Sequence, residues 1–104
     1  MQGGSSLNIV YSQPFFIVNR EISNNQQFYF ESEKYINLYI DRITTPMHQF
    51  YLDEVLDVSY KLLTSSNYCL LYLHTNQGVF TFNVKSSPDE LKREFLKTKK
   101  SNQH

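Results

Sequence analysis

Few side chains able to do chemistry are found in this 104-residue chain, and they are scattered along it. Cys69 and His74 come nearest to a thiol–imidazole pair, yet their odd separation on an alternating strand points them to opposite faces. Nucleophilic catalysis would also require an orienting third group and an oxyanion site, and the neighbouring residues supply neither. Cys69 is therefore expected to be a small buried hydrophobe. His48, His74 and His104 lack the spacing of paired metal ligands, so they read as ordinary strand or tail histidines. His74, beside a turn, has the ring chemistry to respond to pH near neutrality. Asp53, Glu54 and Asp57 crowd oxygen ligands into one segment but lack the repeated spacing and glycine of a calcium loop. They read as a solvated turn. The only glycines are Gly3, Gly4 and Gly78, which leaves no glycine-rich loop to cradle a phosphate. The expectation is a protein that is not an enzyme and holds no cofactor or metal.

The composition is that of one globular domain. Hydrophobic residues make up 40% and charged residues 19%, too apolar a balance for a disordered chain. Eight Tyr and eight Phe, with no Trp, favour half-buried pleated surfaces. Formal net charge is zero, which argues against a general nucleic-acid binder. Charge is uneven along the chain: residues 1–84 sum to −3 and residues 85–104 to +3. A single cysteine and the lack of a signal-like or membrane-spanning apolar run predict a cytoplasmic protein. Residues 1–12 are expected as a flexible lead, 13–99 as one domain and 100–104 as a tail.

Period-two alternation of apolar residues predicts seven strands. The first covers residues 15–21, and Ser23, Asn24 and Asn25 turn it into a second at 27–31. A third is expected at 35–43 with Ile36, Leu38 and Ile40 inward, ended by Pro46. Residues 48–52 form a short fourth, and residues 55–61 a fifth with Leu56, Val58 and Tyr60 on one face. Beyond a polar loop at 64–67, residues 68–74 and 79–84 make a hairpin whose turn contains Gly78, a residue free to take positive φ. Phe80, Phe82 and Val84 face the core. A helix follows: Ser87 as cap, Pro88 in the first turn and Glu90 three residues on have the form of a capping box. Leu91 and Phe95 would pack on the sheet, with Asp89–Arg93 and Glu94–Lys97 pairs on the exposed side.

The order of seven antiparallel strands and one helix, together with the stretches at 50–60, 71–82 and 87–91, resembles the small PH-like domains of Gram-positive bacteria. That group is similar to the soluble domain of the sublancin immunity protein. The resemblance spans about residues 15–98. It implies a mainly β (α+β) fold: a PH-like seven-stranded antiparallel barrel or two-sheet sandwich capped by one C-terminal helix. It also implies a non-enzymatic bacterial binding module. The first hairpin offers Arg20 and Glu21 and then uncharged residues 23–27, so no phosphoinositide site is expected.

The expected partner is another protein, met through an exposed strand edge or through the outward tyrosines Tyr39, Tyr51 and Tyr72. The alternative is a bacteriocin-immunity or membrane-surface role, with Lys97, Lys99 and Lys100 of the helix making peripheral contact with an anionic face.

Overall fold

Asn24 and Asn25 take φ of 52° and 63°, the double positive φ of a two-residue turn whose twist matches the strands it joins. They close the longest hairpin in the protein, between β1 (Ile9–Ser23) and β2 (Gln26–Tyr39). This computed structural model describes residues 8–64 and 68–101. Residues 1–7 of the expected lead, residues 65–67 of the expected polar loop, and His104 lie outside the described residues. β1 begins at Ile9, inside the segment expected as lead.

The remaining strands are β3 (Arg42–Thr44), β4 (Gln49–Tyr51), β5 (Val55–Leu62), β6 (Cys69–Thr75) and β7 (Gly78–Val84), followed by helix α1 (Asp89–Ser101). All pairings are antiparallel, in the order β4-β3-β2-β1-β7-β6-β5. Gly78 takes φ of 127°, as its turn requires, and the Thr75 hydroxyl ties the turn by donating to the Gly78 carbonyl at 2.9 Å. Buried side chains from both ends of the order, Leu38, Ile43 and Phe50 on one side and Val58, Leu71 and Leu73 on the other, share one core. The sheet therefore curves over on itself. Leu91 and Phe95 of α1 enter the same core, and Lys99 donates from the last helical turn to the Val55 carbonyl.

Several expectations are corrected. The sheet is open rather than a closed barrel or two separate sheets: β4 and β5 are its two ends and do not pair. β3 and β4 have three residues each, and a 3-10 turn at Leu52–Glu54, with Leu52 buried, leads from β4 into β5. The strands expected at 27–31 and 35–43 are one, because β1 carries an unbroken ladder past Ser32, Glu33 and Lys34. The break falls later, at Ile40 and Asp41, and Ile40 is exposed rather than inward. Leu56 is also outward, at 62% exposure: the β5–β6 register shifts between Val55 and Asp57, so Leu56 is the extra residue of a bulge. At the helix start, Asp89 accepts from the Tyr60 hydroxyl and from Ser87, which holds its carboxyl below the usual range, while Arg93 pairs with Glu90 rather than with Asp89. The Glu94–Lys97 pair forms as expected, at 3.5 Å.

The bulge makes two leucines of similar sequence context differ in energy. Leu71→Ala should cost about 2–5 kcal/mol of stability in urea unfolding, whereas Leu56→Ala should stay within about 0.5 kcal/mol of wild type. Equal losses would place Leu56 in the core and refute the bulge.

Candidate functional site

The β1–β2 hairpin is the longest element of the described residues. At about 3.3 Å per residue the fifteen residues of β1 span roughly 50 Å, and the molecule measures 57 × 38 × 24 Å. Near its base Phe15, Ile36 and Leu38 line the core. Past Phe16 the two strands leave the body as a ribbon, and its apolar residues meet solvent. Directly opposed residues share a face, so Ile17, Phe28 and Phe30 continue the core-facing side while Val18, Ile22 and Tyr29 lie on the other. Phe28 and Phe30 are 42% and 49% exposed.

The root of this arm is braced on its outer side. Glu31 accepts from Lys85, just beyond β7, and from the Tyr68 hydroxyl, just before β6. Lys85 also lies over the Phe16 ring, 4.3 Å from its centre. The two hydrogen bonds hold the Glu31 carboxyl below its ordinary value, and the bond to Glu31 raises Lys85.

Where the arm leaves the body a groove opens. β7 pairs with β1 at Phe16↔Asn83 alone, so beyond that point no ladder joins the two strands. Phe15 and Ile17 form one wall, and Phe80 and Phe82 of β7 form the other. Pro46, Met47 and His48, from the turn between β3 and β4, close the end. The floor is aromatic: Phe15 meets Phe82 edge-on at 4.9 Å, and His48 lies 4.6 Å from Phe80 and 5.6 Å from Phe50. The cavity holds about 260 Å³, and His48 is its one titratable lining residue. Met47, at its rim, is 83% exposed.

The residues expected from sequence are dispersed. Tyr39 and Tyr51 lie near one another around Arg42, whose guanidinium sits 5.3 Å from the Tyr39 ring centre and which pairs in register with Tyr51. Tyr72 is on β6, beside His74, on the other half of the sheet. Lys97 is exposed and paired with Glu94, and Lys99 is tied to the Val55 carbonyl and lies against the Phe95 ring; Lys100 is exposed. Cys69 is buried, on the opposite face from His74. His74 instead shares a 2.8 Å hydrogen bond with Ser59, on the outer face of β5 and β6 and away from the groove. The acidic cluster is split: Glu54 accepts from the Tyr51 backbone N–H at 2.8 Å, and Asp57 sits opposite His74. Among the described residues no three metal-ligating side chains come together, and no helix is long and apolar enough to cross a membrane.

Sequence reading missed both the arm and the groove. The available signal was the exposed-length run of residues 15–18 and 28–30 on either side of the Asn24–Asn25 turn, which reads equally well as core. The chain matches no protein-family model and no curated protein sequence.

The brace sets a pH window. Glu31, lowered from 4.5, contributes stability above that ordinary value and loses it as pH falls through the lowered one. Lys85, raised from 10.5, contributes below that value and loses it as pH rises through the raised one. Amide protection factors of residues 30–33 should be level across neutral pH and fall below the ordinary Glu value, and Glu31→Gln should abolish this acid step. An acid step of equal size in Glu31→Gln would assign it elsewhere.

Proposed function

We propose that this protein is a non-enzymatic PH-like binding module that receives an extended apolar polypeptide segment in the groove between β1 and β7. The strand order β4-β3-β2-β1-β7-β6-β5 with a C-terminal helix supports the PH-like reading. The observation that carries the binding mode is the single-pair contact between β1 and β7. It leaves the side of β7 that faces β1 without a strand partner, directly above an aromatic floor. An incoming strand finds main-chain hydrogen-bonding groups along that edge and a pocket for every second side chain, the two components of strand addition.

The lining also selects against other ligands. Among the described residues no Lys or Arg lines the groove, so a phosphate or lipid headgroup would enter without a counter-charge in the lining. A volume near 260 Å³ suits an aromatic or branched aliphatic side chain, since a dry apolar cavity of about 150 Å³ already accepts benzene. The tyrosines considered from sequence lie outside this groove, and two of the three helix lysines have partners within the chain.

Random peptides displayed on phage and selected on sparsely immobilised protein should converge on sequences with alternate apolar positions. Ile17→Glu and Met47→Glu, both at exposed positions, should each weaken the selected peptides about tenfold or more while leaving the unfolding midpoint in place. Selected peptides indifferent to both substitutions would remove the groove from the binding function.

A further inference from the structure

A strand added to an edge must match its phase, and on β7 that phase is set by the hairpin with β6. The pair flanking a two-residue turn exchanges both main-chain hydrogen bonds, and hydrogen-bonded pairs then alternate along an antiparallel ladder. Counted from Thr75↔Gly78, the hydrogen-bonded pairs of β6 and β7 include Leu73↔Phe80 and Leu71↔Phe82. The main-chain groups of Val79, Thr81 and Asn83 therefore turn away from β6 and towards β1. In β1, alternation from Ser23↔Gln26 turns Phe16, Val18 and Arg20 towards β7. The one pair the two strands form, Phe16↔Asn83, joins groups of this phase on both sides. Val79 and Thr81 each keep an N–H and a carbonyl that no described strand meets. Thr81 lines the groove although its side chain, level with Tyr72, stands on the outer face, so its main chain is what opens there.

We propose that the segment received is one with two aromatic side chains two residues apart, running antiparallel to β7, whose middle residue exchanges both main-chain hydrogen bonds with Thr81. This rests on the groove being a polypeptide-binding site and names the class of segment it takes. In that register the first ring stands opposite Phe82 and the second opposite Phe80, in the non-hydrogen-bonded pairs where facing side chains come closest. The first ring also meets Phe15, which lies edge-on to Phe82, and the second meets His48, which lies against Phe80.

The protein's own strand leaves the second position unfilled. Continued past Phe16↔Asn83, the register of β1 would put Ile17 opposite Phe82 but Asn19 opposite Phe80, an amide against a ring. The lining favours rings over branched aliphatic side chains. Phe15, Phe80, Phe82 and His48 offer faces and edges whose attraction adds to simple burial, and Met47 brings a sulfur to the rim.

The test titrates the full chain into the blocked peptide Lys-Ser-Thr-Phe-Thr-Phe-Thr-Ser, with a dye on its lysine, followed by fluorescence anisotropy. N-methylation of the Thr between the rings deletes the donor to the Thr81 carbonyl and should weaken binding about tenfold or more. N-methylation of the first Phe, whose N–H points away from β7, should change it less than about threefold. Leu in place of both Phe should weaken binding about threefold or more. Thr81→Pro removes the matching N–H from an edge that tolerates proline, and should weaken binding about tenfold with an unchanged far-ultraviolet spectrum. Binding that responds equally to N-methylation at the two positions, or that is as tight with Leu, overturns the inference. If peptides selected on the protein bind and are lost in Ile17→Glu, but this peptide does not bind, the groove stands and the aromatic pair is refuted. If no peptide binds, both readings fall.

Discussion

The unbroken ladder between β1 and β2 is the constraint from which the rest of the structure follows. One hairpin serves two purposes along its length. Its base supplies Phe15, Ile36 and Leu38 to the core, and its outer half has no sheet neighbour at all. A ladder cannot change which side chains face which side without a bulge, and the register shift in this pair lies near the base, between Ile9 and Tyr11. The alternation that suits the core is therefore imposed on the solvent-exposed half as well. Ile17, Phe28 and Phe30 continue the row that faces the core, yet they are 40%, 42% and 49% exposed.

The same geometry creates the groove. β1 stays paired with β2 along its length, while β1 and β7 share the single pair Phe16↔Asn83. The core loses a strip of cover there, and the turn between β3 and β4 closes it only at the end, through Met47 and His48. The brace of Glu31, Lys85 and Tyr68 acts at this point of separation and on the opposite face. It fixes the direction in which the arm departs without filling the space the departure opens. Structure and proposed binding are thus linked by one feature of the sheet, a long hairpin that keeps its own ladder where its contact with β7 ends.

Much of the fold was legible in the sequence. A mainly β chain ended by one helix follows from period-two alternation and from the helix signals at 87–90, although α1 starts one residue later than expected, with the Pro88 carbonyl accepting its first bond. The count of seven strands is reached by joining two expected strands and splitting off β3. Asn24–Asn25 and Gly78 mark the two tight turns by their tolerance of positive φ. Burial of Ile36 and Leu38 follows from the same alternation, and burial of Leu91 and Phe95 from their spacing of one helical turn. Local signals failed where a neighbouring strand decides the outcome. Ser32-Glu33-Lys34 reads as a loop, but β1 lies opposite and carries the ladder through it. Leu56 reads as core until the register of β6 makes it a bulge. The groove was invisible for a related reason: Phe15, Met47 and Phe80 are far apart in the chain, and their meeting depends on where β1 leaves β7. Alternation reports which residues share a face, and it cannot report whether that face is covered.

The open edge of β7 above the aromatic groove is the central claim, and the most direct measurement is amide hydrogen exchange of residues 79–82 with and without a peptide selected on the protein. The account predicts that bound peptide slows exchange at the β7 amides that face β1, while amides of β5 stay constant. Unchanged exchange in β7 at saturating peptide would contradict it.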